Sequence, residues 1–209
     1  MITAGPANDA LERLQAGNRR FTSSAGGSLV ELPPSASPAT AGQRPFAIIL
    51  GCSDSRVPPE IVFDQGPGDL FVVRVAGNIA GPSQVGSVEL AAEQFGTRLV
   101  VVLGHSCCGA VLATLEDLEE RSNEVSANFR AIIDVVRPSI EGLVATDCAR
   151  DELVRQAVRA NVLASARHLH HESETITELI RDDGLRIVPA EYSLETGVVE
   201  FLDTAAVGV

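Results

Sequence analysis

The chain has no lysine and no tryptophan, and only 16 basic residues stand against 28 acidic ones. Every basic residue is an arginine, a compositional bias from which no catalytic role is read. The net charge of −12 argues against a nucleic-acid partner, which needs a basic footprint to displace phosphate counterions. No apolar run approaches the ~18 residues of a membrane-spanning helix, so no membrane partner is expected. The opening MITAGPANDALERL lacks a basic segment followed by an apolar core, so no secretory signal is expected. Cysteine is scarce too: four in 209 residues do not make a disulfide scaffold. A reducing cytoplasm is the expected compartment, because it keeps such thiols free. No internal repeat and no second domain is visible.

What is present is a hydrophobic fraction of 45% in a chain long enough to bury a substantial core. The chemistry concentrates in residues 46–60, FAIILGCSDSRVPPE. A short apolar run, read as a buried strand over 46–50, meets Gly51 and then Cys52, Asp54 and Arg56 at alternating positions. An extended chain would turn those three side chains to one face. Residues 98–103, RLVVVL, repeat the design: an apolar strand, then Gly104, His105 and Cys108. In open parallel sheets, ligand sites gather at the carboxyl ends of strands where the winding reverses. Two such strand ends can bring Cys52, His105 and Cys108 together, and two thiolates with one imidazole form a zinc set that leaves a fourth position open.

The remaining periodicities predict a helix over 8–21 and a structureless stretch over 22–45 that is too long for a compact domain unless it lies on a partner. A helical turn over 59–63, a strand over 70–75, and helices over 85–95, 110–118 and 128–140 follow. A long helix is expected after an Asp147 N-cap, then a helix over 174–181 ending at Gly184. Strands over 185–190 and 198–202, joined by a Glu195-Thr196-Gly197 turn, predict an antiparallel edge. The fold class is therefore α/β: a mainly parallel four-stranded sheet flanked by helices, with an antiparallel C-terminal edge strand. The expected division is 1–45 as helix and arm, and 46–209 as one zinc-binding catalytic domain.

Cys-x-Asp-x-Arg at 52–56 with His-x-x-Cys at 105–108 resembles the β-class carbonic anhydrases, as do SDSRVPPE, GDLFVVRVAGN and YSLETGVVEF. The resemblance runs from about Asp9 to Asp203. It implies one Zn2+ per subunit on Cys52, His105 and Cys108, and reversible hydration of CO2 to bicarbonate and a proton by zinc-bound hydroxide. It implies catalytic roles for Asp54 and Arg56, the carboxylate orienting the hydroxide and the guanidinium holding the carboxylate. It implies substrate contacts for Gln43, Phe71 and Gly109, with Gln43 supplied by a partner subunit, and a homodimer or homotetramer wrapped by the 1–45 segment. Because two thiolates cancel the charge of zinc, activity is expected to climb through the alkaline range. Ile49 stands where one branch of the family carries tryptophan, Leu90 where the other carries tyrosine, and Arg74, used by the first of these, is present.

Other readings compete. The same site could hydrolyse a CO2 analogue such as carbon disulfide or carbonyl sulfide. Asp54 could cap a non-catalytic zinc, or Cys107 and Cys108 could form a thiol redox pair. Cys107 is otherwise read as a small buried hydrophobe, Cys148 as inert, and His168, His170 and His171 as a solvated helix surface.

Overall fold

The structure, a computed structural model, describes residues 5–23, 42–119 and 125–203. Two strands form its centre, β1 (Ala47–Gly51) and β3 (Leu99–His105), and every residue of both is buried. Near-continuous Val, Ile and Leu suits strands covered on both faces, as in parallel sheets. β2 (Leu70–Arg74) pairs with β1 on the side away from β3, and β4 (Arg186–Tyr192) pairs with β3; all three pairings are parallel. β5 (Val199–Phe201) closes the edge antiparallel to β4, giving the order β2-β1-β3-β4-β5. The expected architecture of four parallel strands and one antiparallel edge is the one observed.

The winding reverses at β1: the chain steps outward to β2 and then returns to the other side for β3. That places the carboxyl ends of β1 and β3 side by side at the switch point, where ligand crevices open.

Alternation along the strands feeds two apolar layers. Ile49, Val101 and Leu103 pack with α1 (Pro6–Ser23) and α2 (Pro59–Val62), whereas Ile48, Leu50, Val100 and Val102 face the opposite layer. That layer is built from α3 (Pro82–Gln94), α6 (Arg150–His171) and α7 (Glu174–Asp183). A third cluster joins α4 (Gly109–Leu118), α5 (Ala127–Ile140) and α6 to Cys52 and Cys108.

In this single-chain structure α1 packs on its own sheet. Leu14 is fully buried, worth roughly 1.5–3 kcal/mol. Asn18 ties the helix down: its Nδ2 donates to the carbonyls of Val62 (3.0 Å) and Gly197 (2.9 Å), and its Oδ1 accepts from the Val199 amide (2.9 Å). The arm expected to follow the helix lies, over 24–41, outside the described residues.

Boundaries shift in two places. α6 begins at Arg150 behind Ala149, which makes no side-chain cap, so Asp147 is not its N-cap. Asp151 and Glu152 in the first turn supply the negative charge that complements the helix dipole instead. α7 ends as expected, with Gly184 in the left-handed region at φ 68.

Candidate metal centre

β1 delivers Cys52 one residue beyond its end, and β3 delivers His105 as its last residue. Cys108 follows after a tight turn and stands at the N-cap of α4. One ligand atom from each of these three buried residues lies within 4.8 Å of the other two. The sulfurs of Cys52 and Cys108 are 4.0 Å apart. Two sulfurs each ~2.3 Å from one tetrahedral ion would sit about 3.8 Å apart, so the pair is already near its ligating separation.

His105 is fully buried, and its Nδ1 lies 3.0 Å from the Ser106 carbonyl oxygen. A donated bond there leaves Nε2 with its lone pair free, and Nε2 has no hydrogen-bond partner. An orphaned buried nitrogen beside two thiols is the donor set of a metal ion, and the three residues fit zinc.

The sulfur electrostatics agree. Hydrogen bonding with Cys108, against the cost of burial, lowers the pKa of the Cys52 thiol. The same contact, with burial, pushes Cys108 well up. One proton shared between two buried sulfurs is the result, and a divalent cation between them removes the need for it.

Asp54 lies on the rim. Its Oδ1 and Oδ2 accept from Arg56 Nε (2.9 Å) and Nη2 (2.7 Å), and Oδ1 also accepts from the Arg56 amide at 3.0 Å. The chain turns at Ser55-Arg56 rather than staying extended, and this Asx-type turn, not strand alternation, brings the pair together. The Arg56 guanidinium holds the Asp54 carboxyl well below the usual carboxylate range. Oδ2 stands 3.8 Å from His105 Nε2, beside the open side of the donor set.

Three supporting groups have contacts that the sequence did not reveal. Arg74 donates to the carbonyls of Cys52 (2.9 Å) and Asp54 (2.5 Å), fixing the loop that carries both side chains. The Gly77 amide donates to Cys52 Sγ at 3.4 Å. Gly104, just before His105, lets α6 approach: a Cβ there would lie 2.3 Å from Val162 Cγ2. Arg74 was marked only through the family resemblance, Gly104 only as the end of a strand, and the Gly77 amide is a backbone group that no spacing encodes.

Cys107 corrects an expectation. It is exposed, not buried, because a positive φ of 56° in the His105–Cys108 turn throws its side chain outward. There it lines a cleft of about 930 Å³ with Arg56, Arg159, Glu191 and Leu194, and it is not among the three clustered donors. The structure therefore assembles Cys52, His105, Cys108, Asp54 and Arg56, with Gly109 exposed at the start of α4. Within one chain it does not bring Gln43 or Phe71 to them. Gln43 is exposed ahead of the amino-terminal end of β1, and that end alone is about 13 Å of strand from Gly51. Phe71 pairs in register with Ile48 and packs on Phe95, ring centroids 6.0 Å apart. His170 and His171 stack on each other, 4.9 Å between centroids, on α6 and apart from the donor set.

An open, mainly parallel sheet with Cys, His and Cys at two adjoining strand ends defines a protein with a candidate metal centre at its switch point. Residues 47–199 match the carbonic anhydrase family. The carbonic anhydrase of Mycolicibacterium smegmatis is 43% identical over 163 residues, covering 77% of this chain and 76% of that protein. That of Pseudomonas aeruginosa is 33% identical, covering 78% of this chain and 76% of the relative. The β-carbonic anhydrase CafA of Aspergillus fumigatus superposes with a TM-score of 0.72 at 27% identity, over 81% of this chain and 82% of CafA. A tetrameric β-carbonic anhydrase of Sordaria macrospora gives 0.70 at 26%, over 78% and 83%. This chain belongs to the β-class carbonic anhydrases, and is a lyase.

Proposed function

We propose that the protein hydrates carbon dioxide reversibly to bicarbonate and a proton, with one zinc ion per subunit on Cys52, His105 and Cys108. The observation that carries this reading is the unpartnered, fully buried His105 Nε2 facing two sulfurs. Bound zinc supplies Lewis acidity, lowering the pKa of a water ligand from 15.7 toward neutrality.

The chain's own residues then do the positioning. Arg56 occupies both oxygens of Asp54 and keeps the carboxylate ionised and fixed. Asp54, placed 3.8 Å from the imidazole, accepts a hydrogen bond from the attacking water and turns its lone pair toward CO2. The bidentate hold on Asp54 also disfavours a permanently capped metal, and no observation favours a CO2 analogue as substrate.

Gln43 acts in this reading from a neighbouring subunit, because it lies at the wrong end of β1 to serve its own site, and Phe71 belongs to the apolar wall that holds CO2. A homodimer or homotetramer supplies Gln43. A reducing cytoplasm, which preserves Cys52 and Cys108 as thiols, suits the site. Among the described residues no helix is long and apolar enough to cross a membrane.

The test is chelator stripping followed by stopped-flow measurement. CO2 hydration should vanish with the zinc and return on addition of one equivalent of Zn2+. Hydration that persists after complete stripping would refute the reading.

A further inference from the structure

Buried in the middle of α6, Asn161 is a polar side chain in an apolar cluster, only 2% exposed among residues such as Ala157, Val158 and Val162. Its Nδ2 donates to the Gly77 carbonyl at 2.8 Å, across 84 residues of sequence. Gly77 in turn donates its amide to Cys52 Sγ at 3.4 Å. The glycine sits at φ 76 and ψ 14, a conformation that side chains disfavour, and a Cβ would meet Ala110 Cβ at 3.1 Å. Its backbone is therefore held by packing on one side and by Asn161 on the other.

The neighbouring backbone is fixed as well. The Val75 amide donates to Gly51 O at 3.1 Å and the Ser53 amide to Val75 O at 3.3 Å, so β1 and β2 stay paired on both sides of Cys52. What remains adjustable is the turn at 76–78, which directs the Gly77 amide. A buried amide hydrogen bond to one backbone carbonyl is the device that pins it, and a side chain without a donor would leave that carbonyl unsatisfied.

We propose that Asn161 is a positioning residue of the metal centre: it holds the Gly77 carbonyl so that the Gly77 amide stays on the Cys52 sulfur. This rests on the zinc reading above. An amide donated to a thiolate draws charge from the sulfur and lowers its filled orbitals. The sulfur then gives less charge to the metal while its position is better defined. Residues behind a ligand typically change metal affinity by ~10–100-fold when removed.

The experiment compares Asn161→Leu, which replaces the amide by an apolar branched side chain without a donor, with Asn161→Ala, which removes the donor and adds neither bulk nor a titratable group. Leu169→Ala serves as a control, removing packing two turns further along the same helix. Zinc dissociation constants come from chelator competition, and the Co2+-substituted proteins give the thiolate-to-cobalt charge-transfer band. Both Asn161 variants should bind zinc at least ~10-fold more weakly, and their cobalt band should move to longer wavelength. Leu169→Ala should lower the thermal midpoint and leave the band in place. If Asn161→Leu does not fold, the Asn161→Ala arm still decides. A band and a zinc constant unchanged in an Asn161 variant that folds would overturn the proposal. Parental protein with no thiolate-to-cobalt band at all would overturn the zinc reading itself, and the positioning role with it.

Discussion

Arg56 shows how a single side chain can govern the site without touching the metal. It takes both oxygens of Asp54, so its loss frees a carboxylate that already stands 3.8 Å from His105 Nε2. Arg56→Ala should keep its zinc and fall below half the parental rate at pH 8.5, measured by metal analysis beside stopped-flow hydration. The pH dependence of this pair has a definite sign. Asp54 is depressed in the folded state, so the unfolded chain binds the extra proton. Its contribution to stability is full above the unfolded carboxyl pKa, ~4, and is lost as pH falls below that toward the folded value. Between pH 6 and 9 it is constant, and any rise in rate across that range belongs to another group. Cys107 offers a second check: exposed and outside the donor set, its change to Ser should retain a full equivalent of zinc. Loss of that equivalent would move the ligand assignment from Cys108 to Cys107. The reactive residues were legible because ligand types at fixed spacing leave few chemical alternatives. The exposure of Cys107 was not, because it depends on a left-handed turn at a non-glycine residue, which spacing does not reveal.

The elements that deliver the ligands are tied to the helices behind them. Gly104 stands inside the fully buried β3, one residue before His105 at its end, and α6 presses Val162 against it. Gly104→Ala would force a Cβ to within 2.3 Å of that methyl, and an overpacked contact of this kind costs about 1–3 kcal/mol. Urea denaturation should show the loss as a lower midpoint, and a midpoint equal to the parent's would show that α6 yields freely. Element identity was readable wherever apolar runs or helical periods were long, as in β1, β3 and α5. The α6 start was misplaced because Asp147 carries a capping side chain, yet the helix takes charge complementarity from Asp151 and Glu152 instead. The chain of contacts from Asn161 through Gly77 to Cys52 runs through two backbone groups, and backbone groups carry no sequence mark.

At the scale of the whole molecule, the proposed reading draws its site from more than one chain. Gln43 lies at the far end of β1 from Cys52, and an acidic surface of net charge −12 leaves assembly to specific contacts rather than to general attraction. Sedimentation at micromolar concentration should show a dimer or tetramer, and a fully active monomer would contradict the shared site. The central claim is that Cys52, His105 and Cys108 together hold the zinc that hydrates CO2. Its most direct test measures zinc content and stopped-flow CO2 hydration side by side, in the parent and in Cys52→Ala, His105→Ala and Cys108→Ala. The account predicts one zinc per subunit with activity in the parent, and both lost together in each variant. A correctly folded variant that kept a full equivalent of zinc and the parental rate would contradict it.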